Sequence, residues 1–320
     1  MDLNTYSSIF MTSILLYSLL YAVLIVFVTY VIFKFSLTVI RTFDLISDSH
    51  SLYMLNEKIE SQENNTILFL VDDIDNIPSF KRYIYYFLGI NYFTLDDTDN
   101  IGILIKEAQK NNKGLDIFIQ SYGGCAISSD YLISKISVFR KISKKPVRTF
   151  VPNFAKSAGT MLALSSNKLY INHFSFLGPV DPVITTEEEE DENDENNESN
   201  NDDKNKKRGC VDNSISVESF FESISRENIV EHCDIYSVAS IKDSLKLYRE
   251  CQRLFREFPI VKRSSNAKKT TDTFCNGELP HHHCFTFMEL DKLGIKYELI
   301  TEDHNNLFNA FIKIKMSKYY

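Results

Sequence analysis

VPNFAKSAGTMLALSSNKLYINHFSFLGPVDPVI, residues 151–184, decides the fold of this chain. The stretch RTFVPN has the β-branched and aromatic residues of a strand, and the small residues after Ser157 are typical of a helix that begins close to a strand. KLYINHFSFLGPVDPVI then predicts a further strand followed by a turn-rich loop. A strand, a helix and a second strand in this order predict a βαβ unit, and hence a parallel sheet.

The residues before this stretch repeat the same alternation of strands and helices. NTILFLVDD, residues 65–73, and LDIFIQS, residues 115–121, are apolar runs of strand length. Between them, DDTDNIGILIKEAQK has acidic capping residues ahead of an apolar spacing of three and four, and a further helix is predicted from Ala126 to Ile142. The sequence therefore predicts an α/β fold with a mostly parallel sheet.

The N-terminal region carries 25 consecutive residues without a charge, from Ile9 to Phe33. As a helix rising ~1.5 Å per residue, this run exceeds a hydrocarbon core of ~30 Å. A cleaved signal peptide is the alternative, but the first eight residues contain no Lys or Arg and no small-residue cleavage site follows. Lys34 and Arg41 flank the far side, so the positive-inside rule predicts a single-pass anchor with the soluble part in the cytosol.

The acidic balance of the chain comes mostly from one segment. The formal net charge is -8, and residues 187–208 hold eleven carboxylates against four basic residues. Residues 185–209 are too polar to offset the entropy of ordering, so we interpret them as a disordered insertion. No basic stripe interleaved with aromatic residues occurs elsewhere, which argues against a nucleic-acid partner. The six cysteines form no CxxC pair, which favours reduced thiols over a zinc site.

These patterns predict the following organisation along the chain. The segments are a short tail (1–8), a transmembrane helix (9–35), a stalk (36–65), a catalytic domain (66–300) with the acidic insertion (185–209) inside it, and a C-terminal tail (301–320).

A serine at a strand-to-helix turn is a candidate nucleophile, because catalysis needs an exposed hydroxyl, a base and donors to the oxyanion. Ser157 is followed by Ala158 and Gly159, small residues that let a substrate carbonyl approach the start of a helix. Gly123 and Gly124 also follow a strand and precede a helix, and they can present a second backbone N–H. These three positions, Gly123, Gly124 and Ala158, predict an oxyanion hole around Ser157.

The order of motifs resembles a known family. YGG (122–124), the stretch 151–184 and HHHCFTFMELDKLGI (281–295) together look like the serine dehydrogenase proteinase family, which belongs with signal-peptide peptidase A in the ClpP/crotonase-like superfamily. The resemblance covers residues 66–184 and, more loosely, 211–300. It implies a ClpP/crotonase-like β-β-α superhelix, a nucleophile at Ser157 and oxyanion donors at Gly124 and Ala158. Tyr122 replaces a usual proline, and Lys156 replaces a usual apolar residue.

Besides Lys246, which lies roughly opposite the apolar stripe of its predicted helix, the base that would activate Ser157 has two candidates. Signal-peptide peptidase A uses a lysine from a later helix, and Lys242 lies beside the apolar stripe of a predicted helix. His281 belongs to the segment that resembles the family's late strand and helix, and a histidine titrates near neutral pH. The alternative for both residues is an exposed surface position. Three consecutive histidines point in different directions on a strand, so neither a metal nor a cofactor is predicted.

Three functions are compatible with these residues. The first is a membrane-anchored serine endopeptidase that cleaves peptides or unfolded segments near the bilayer through an acyl-enzyme on Ser157. The second is an inactive scaffold or binding module, and the third is a crotonase-type acyl-CoA enzyme, which needs paired donors but no serine. The resemblance also implies a homo-oligomer. The apolar stripe of the helix at 238–258 would form its arm, unless that stripe packs inside the same chain.

Overall fold

The computed structural model describes residues 3–72, 79–180, 246, 248–276 and 279–316. The acidic insertion and Lys242 lie outside these residues. The helices are α1 (Leu3–Glu63), α2 (Ser79–Phe87), α3 (Thr98–Lys110), α4 (Ala126–Ser143), α5 (Ala158–Leu164), α6 (248–257), α7 (Pro259–Lys262), α8 (Ala267–Cys275), α9 (Phe287–Leu293) and α10 (Glu302–Met316). The strands are β1 (Asn65–Val71), β2 (Asn91–Phe93), β3 (Gly114–Gln120), β4 (Val147–Val151), β5 (Phe154–Ala155), β6 (Lys168–Ile171), β7 (Phe176–Leu177), β8 (Phe285–Thr286) and β9 (Glu298–Leu299).

A six-stranded sheet in the order β2-β1-β3-β4-β6-β9 forms the centre, and every neighbouring pair in it is parallel. All seven residues of β1 are buried, as expected for a strand covered on both faces. A small second sheet joins β5 to β7 in parallel and β7 to β8 in antiparallel orientation. The predicted α/β fold with a parallel sheet is confirmed.

The predicted span and stalk form one continuous helix, α1. Its described side chains start at residue 16, and the stretch Leu16–Glu63 contains a window of mean hydropathy 2.4 with none of its residues buried. By length and composition it can cross a bilayer. Its last turns pack on the domain, where Leu52 and Ile59 are 0% and 2% exposed.

The residues interpreted above as a C-terminal tail contain a helix that belongs to the core. Leu307, Phe308, Phe311 and Ile314 of α10 are all buried. The Phe311 ring stacks on Phe69 of β1 with 4.4 Å between ring centroids. The spacing of these four residues places them on one face, which is why the segment packs as a helix instead of extending from residue 301.

α1 and α10 lie antiparallel to each other on the same face of the sheet. Lys58 of α1 pairs with Asp303 at 2.8 Å, and Lys313 pairs with Asp48 at 2.6 Å. Residues 45–63 of α1 are therefore packed directly on the α/β domain.

The predicted helix at 238–258 is described only from its second half. There, Tyr248, Cys251 and Phe255 are 4%, 7% and 0% exposed, and Cys251 and Phe255 join the core on the α5 side of the sheet. This half of the apolar stripe packs within the chain, which is the alternative to an oligomerisation arm.

Candidate active site

Ser157 lies at the junction between β5 and α5, where it is the N-cap residue of the helix. Its backbone adopts φ 48° and ψ -117°, a conformation that residues with a side chain rarely occupy. The Ser157 N–H donates to Pro179 O at 3.2 Å, and the Met161 N–H donates to Ser157 O at 3.1 Å. Hydrogen bonds from both sides therefore hold the strained turn, as in other active sites where strain positions a reacting group.

Gly123 is in direct contact with this serine. A Cβ built on Gly123 would lie 3.0 Å from Ser157 Cβ and 3.5 Å from Ser157 Oγ, and its φ is +127°. The Gly123 N–H donates to Ser121 Oγ at 3.0 Å, and this hydroxyl donates back to Gly123 O at 3.1 Å. The N–H of Gly123 is thus used inside its own turn, whereas the missing side chain makes room for Ser157.

Gly124 and Ala158 supply the other two predicted donors. Ala158 is the first residue of α5, where N–H groups have no partner within the helix. Across the described ranges, neither its N–H nor that of the exposed Gly124 donates a hydrogen bond. Neither N–H therefore has an acceptor in the described part of the protein, although Ala158 as a residue is only 4% exposed. Their assignment as oxyanion donors stays a prediction.

Thr160 joins the two halves of the motif, and sequence reasoning did not single it out. Its hydroxyl donates to Ala155 O at 2.7 Å and Gly178 O at 3.0 Å, and accepts from the Gly178 N–H at 3.1 Å. The Gly178 N–H also donates to Ala155 O at 2.9 Å. The SAGT and LGP motifs occur together because this threonine ties the loop after β7 to the start of α5.

Lys156 precedes the serine, and its ammonium is held beside two aromatic rings. Lys156 Nζ lies 5.9 Å from the Tyr122 ring centroid, 5.6 Å from that of Phe176 and 3.4 Å from His282 O. The Tyr122 ring also packs on Phe154 at 4.5 Å. The cation that precedes Ser157 in sequence thus lies against the rings of Tyr122 and Phe176.

Within the described residues, Ser157 Oγ has no hydrogen-bond partner. His281 is half-buried in the turn closed by the 2.8 Å bond from the His283 N–H to Pro280 O, directly before β8. That strand shares a sheet with β5, the strand that leads to Ser157. His281 and Lys242 both remain predictions, the latter outside the described part of the chain.

Two titratable groups flank the glycine turn. Asp72, at the end of β1, accepts the Tyr122 N–H at 2.6 Å, and burial raises its pKa while that hydrogen bond lowers it. Cys125 is exposed at the start of α4, where the backbone N–H groups of Ser128 and Ile127 lower the pKa of its thiol. Asp72 therefore fixes the turn that presents Gly123, a role that no local sequence pattern indicated.

A second polar cluster joins the end of α1, the strands β3 and β4 and the start of α10. Asp116 is fully buried, and Arg148 Nε donates to its Oδ1 at 2.6 Å while another guanidinium nitrogen contacts Glu63. Glu63, Asp116 and His304 offer ligand atoms within 4.8 Å of one another. Because Arg148 already occupies both carboxylates, the cluster is an ion pair that ties α1 to the sheet and does not suit a metal.

His304 is the neutral member of this cluster. Its ring stacks on Phe150 at 4.4 Å between centroids, and its Nδ1 lies 2.7 Å from Thr301 Oγ1. Burial and the positive charge of Arg148 lower the pKa of His304 to about 4. The negative charge of Asp303 acts in the opposite direction.

Comparison with known proteins identifies the family of this chain. The family model of the ClpP-like SDH-type serine proteinases matches residues 8–195, more than half of the chain. Two uncharacterized proteins of Methanocaldococcus jannaschii are 28% and 29% identical over 125 and 127 residues. The chain spans about 40% of the length of each of these two relatives.

The solved structures matched include two of the 1510-N membrane-bound stomatin-specific protease. One is a serine-to-alanine variant, and the other is a lysine-to-alanine variant in complex with a substrate peptide. Each is 18% identical with a TM-score of 0.40 over 68% of this chain, covering 78% and 74% of the two structures. The family match confirms the resemblance drawn from the motifs around Ser157. The chain belongs to the ClpP-like SDH-type serine proteinases, a family of peptidases.

Proposed function

We propose that this protein is a membrane-anchored serine endopeptidase that cleaves peptide bonds through an acyl-enzyme on Ser157. The observation that carries the proposal is the turn itself. Ser157 is held in a strained conformation at the start of α5, next to the N–H groups of Ala158 and Gly124, which have no acceptor among the described residues. A nucleophile beside preorganised donors is the arrangement that acyl transfer requires.

In the proposed reaction, Ser157 Oγ attacks the carbonyl carbon of the substrate and gives its proton to the base. The oxyanion accepts hydrogen bonds from Ala158 and Gly124, which stabilise the negative charge as it develops. The intermediate collapses by breaking the C–N bond, and the protonated base supplies the proton to the leaving amine. Water then repeats the attack on the ester and restores the free serine.

Anchoring by α1 gives the enzyme its proposed location. The 25 uncharged residues Ile9–Phe33 would cross the bilayer, and Lys34 and Arg41 would lie on the cytosolic side with the domain. Peptides or unfolded segments close to the membrane are then the substrates within reach. The anchor predicts that the full chain stays in the membrane pellet after extraction at alkaline pH, and release into the supernatant would contradict it.

A fluorophosphonate probe tests the nucleophile on the detergent-solubilised full chain. We expect the wild type to be labelled and Ser157→Ala to lose the label, while Ser165→Ala, which changes a buried serine just beyond α5, keeps it. His281→Ala and Lys242→Ala then identify the base, because only its loss slows labelling by roughly 100-fold or more. Equal labelling of wild type and Ser157→Ala would refute the proposal. Tight binding of a CoA thioester without labelling would favour the acyl-CoA enzyme. The absence of both labelling and CoA binding would favour the inactive scaffold.

A further inference from the structure

The direction in which α1 holds the catalytic domain follows from the turn after this helix. The chain reverses at Asn64, whose φ is 52°. The Ile67 N–H of β1 donates to Glu60 Oε1 of α1 at 3.0 Å, so β1 returns along the last turns of the helix. All neighbouring strands of the six-stranded sheet are parallel. The carboxyl ends of these strands therefore point toward the N-terminal, apolar part of α1.

Contacts of α10 locate these carboxyl ends along α1. Lys313 Nζ pairs with Asp48 of α1 at 2.6 Å. Lys315, two residues further along α10, contacts the backbone carbonyl of Asp72 directly after β1. The lengths agree, because the seven residues of β1 cover ~23 Å at ~3.3 Å each, and the part of α1 after Asp48 covers ~22 Å at ~1.5 Å per residue. The carboxyl end of β1 is thus level with the turn of α1 around Asp48.

Ser157 lies at this same end of the sheet. The Asp72 N–H donates to Gln120 O at 3.0 Å, which sets the end of β3 beside the end of β1. Ser121, the next residue, forms a parallel bridge with Ala155. Ser157 follows two residues later, so the nucleophile is on the side of the domain nearest the apolar run of α1.

The length of α1 converts this position into a distance from the bilayer. Asp48 lies 15 residues beyond Phe33, the last residue of the uncharged run, which is ~22 Å along the helix axis. The headgroup layer extends only ~5–7 Å beyond the hydrocarbon core. With α1 along the bilayer normal, Ser157 is held in water, roughly 20 Å from the hydrocarbon core and facing it.

The surface at this end of the domain is apolar. Tyr122, Ile127 and Phe174 are 54%, 78% and 93% exposed. Each of them follows the carboxyl end of a strand, β3 for the first two and β6 for the third. Large exposed apolar side chains grouped at one end of a domain are typical of a surface that binds an apolar partner. They suit an unfolded segment that reaches the site from the membrane side.

We propose that the substrate is an extended segment of a membrane-anchored polypeptide, cleaved at a bond at least about six residues away from the bilayer. An extended chain covers ~3.3 Å per residue, so six residues span roughly 20 Å. The inference rests on the peptidase and the anchor proposed above. It adds that α1 sets the distance between the membrane and the cleaved bond.

A tethered probe tests this distance without knowledge of the cleavage sequence. The probe is a synthetic transmembrane helix of about 20 leucines with a Gly-Ser linker of about 2, 4, 6, 8, 12 or 16 residues that ends in a fluorophosphonate. It is reconstituted with the full chain in phosphatidylcholine vesicles, and Ser157→Ala measures the background. We expect labelling to be fastest near 12 residues and at least roughly 20-fold slower at four or fewer, because four residues reach at most ~14 Å.

A longer anchor should move this threshold. Insertion of the helical heptapeptide AEAAKAA after Ile40 lengthens α1 by ~10 Å and turns it by nearly two full turns, so the packed face keeps its direction. The shortest linker that labels Ser157 should then grow by about three residues. The same heptapeptide placed within residues 185–209 is the matched control and should leave the threshold unchanged. Labelling that is independent of linker length, or a threshold that α1 insertion does not move, would overturn the inference.

The outcome is separable from that of the proposed function. A soluble fluorophosphonate reports on Ser157 whatever the distance from the membrane, and it also shows whether the insertion variant keeps an intact site. Failure of the soluble probe to label the wild type would reject the peptidase. Labelling by the soluble probe, together with equal labelling by every tethered probe, would reject only the distance set by α1.

Discussion

The contact between Gly123 and Ser157 yields the sharpest test of the site. Gly123→Ala adds a single methyl group, 3.0 Å from Ser157 Cβ and 3.5 Å from Ser157 Oγ, on a residue with φ +127°. Gly124→Ala is the matched control. Its added Cβ meets Leu95 and Asp96 at ordinary distances of 3.5 Å or more, and no positive φ is involved.

Two costs follow from the geometry. Ordinary contacts of a Cβ begin near 3.4 Å, so Ser157 has to move by a few tenths of an ångström, and the backbone of residue 123 is forced into a conformation costing about 1–3 kcal/mol. We expect unfolding free energy to fall by about 2–3 kcal/mol. The displaced hydroxyl should lower the rate of probe labelling and of peptide cleavage by roughly 100-fold.

The assay compares fluorophosphonate labelling rate and urea-induced unfolding of the full-length wild type with those of the two variants. Gly124→Ala retains its backbone N–H, so we expect labelling within about threefold of wild type and an unfolding free energy changed by less than about 1 kcal/mol. The reasoning would be refuted if Gly123→Ala labelled at the wild-type rate, or if Gly124→Ala lost activity to the same extent.

Three further predictions concern stability. Ser157→Gly should raise the unfolding free energy by about 1 kcal/mol, because glycine accepts φ 48° and ψ -117° without strain, whereas Ser157→Ala should gain nothing; equal values for the two would argue against strain. Arg148→Ala should cost about 3–5 kcal/mol in urea unfolding, since it leaves Asp116 buried without its cation, and Lys168→Ala, which breaks an exposed pair, should cost less than about 1 kcal/mol; similar losses would contradict the buried pair. His304, whose pKa is lowered to about 4, binds a proton more readily in the unfolded chain, so its contribution is present above pH 6.5 and is lost as pH falls toward 4. Between pH 7.5 and 5 this amounts to about 2 kcal/mol, which His304→Phe should abolish; an unchanged pH dependence in that variant would rule out His304 as the source.

The pairing of Asp116 with Arg148 could not be predicted from the sequence. Asp116 and Arg148 are charged residues inside otherwise apolar strands, which signals that each needs a buried partner. Only the parallel register of β3 and β4, which sets Asp116 opposite Arg148, pairs them with each other. The added contact of Glu63 depends on where α1 ends, and no pattern local to either strand contains that information.

The packing of α10 could not be predicted from the sequence for a related reason. The spacing of Leu307, Phe308, Phe311 and Ile314 was present in the sequence, but an amphipathic helix is stable mainly through the surface on which it packs. That surface consists of Phe69 and Phe118 on the central sheet, which are distant in sequence. The pattern of a segment alone therefore does not distinguish a packed helix from a C-terminal tail.

The sequence by itself determined the parallel α/β fold, the apolar helix at the N-terminus and the location of Ser157 between a strand and a helix. These features follow from periodicity and from small residues within a few positions of one another, which act locally. Only the tertiary structure decided that Gly123 touches Ser157, that Thr160 ties Gly178 to Ala155, and that Asp72 fixes Tyr122. Each of these contacts joins different loops at the ends of parallel strands, and their distance in space depends on strand order and register.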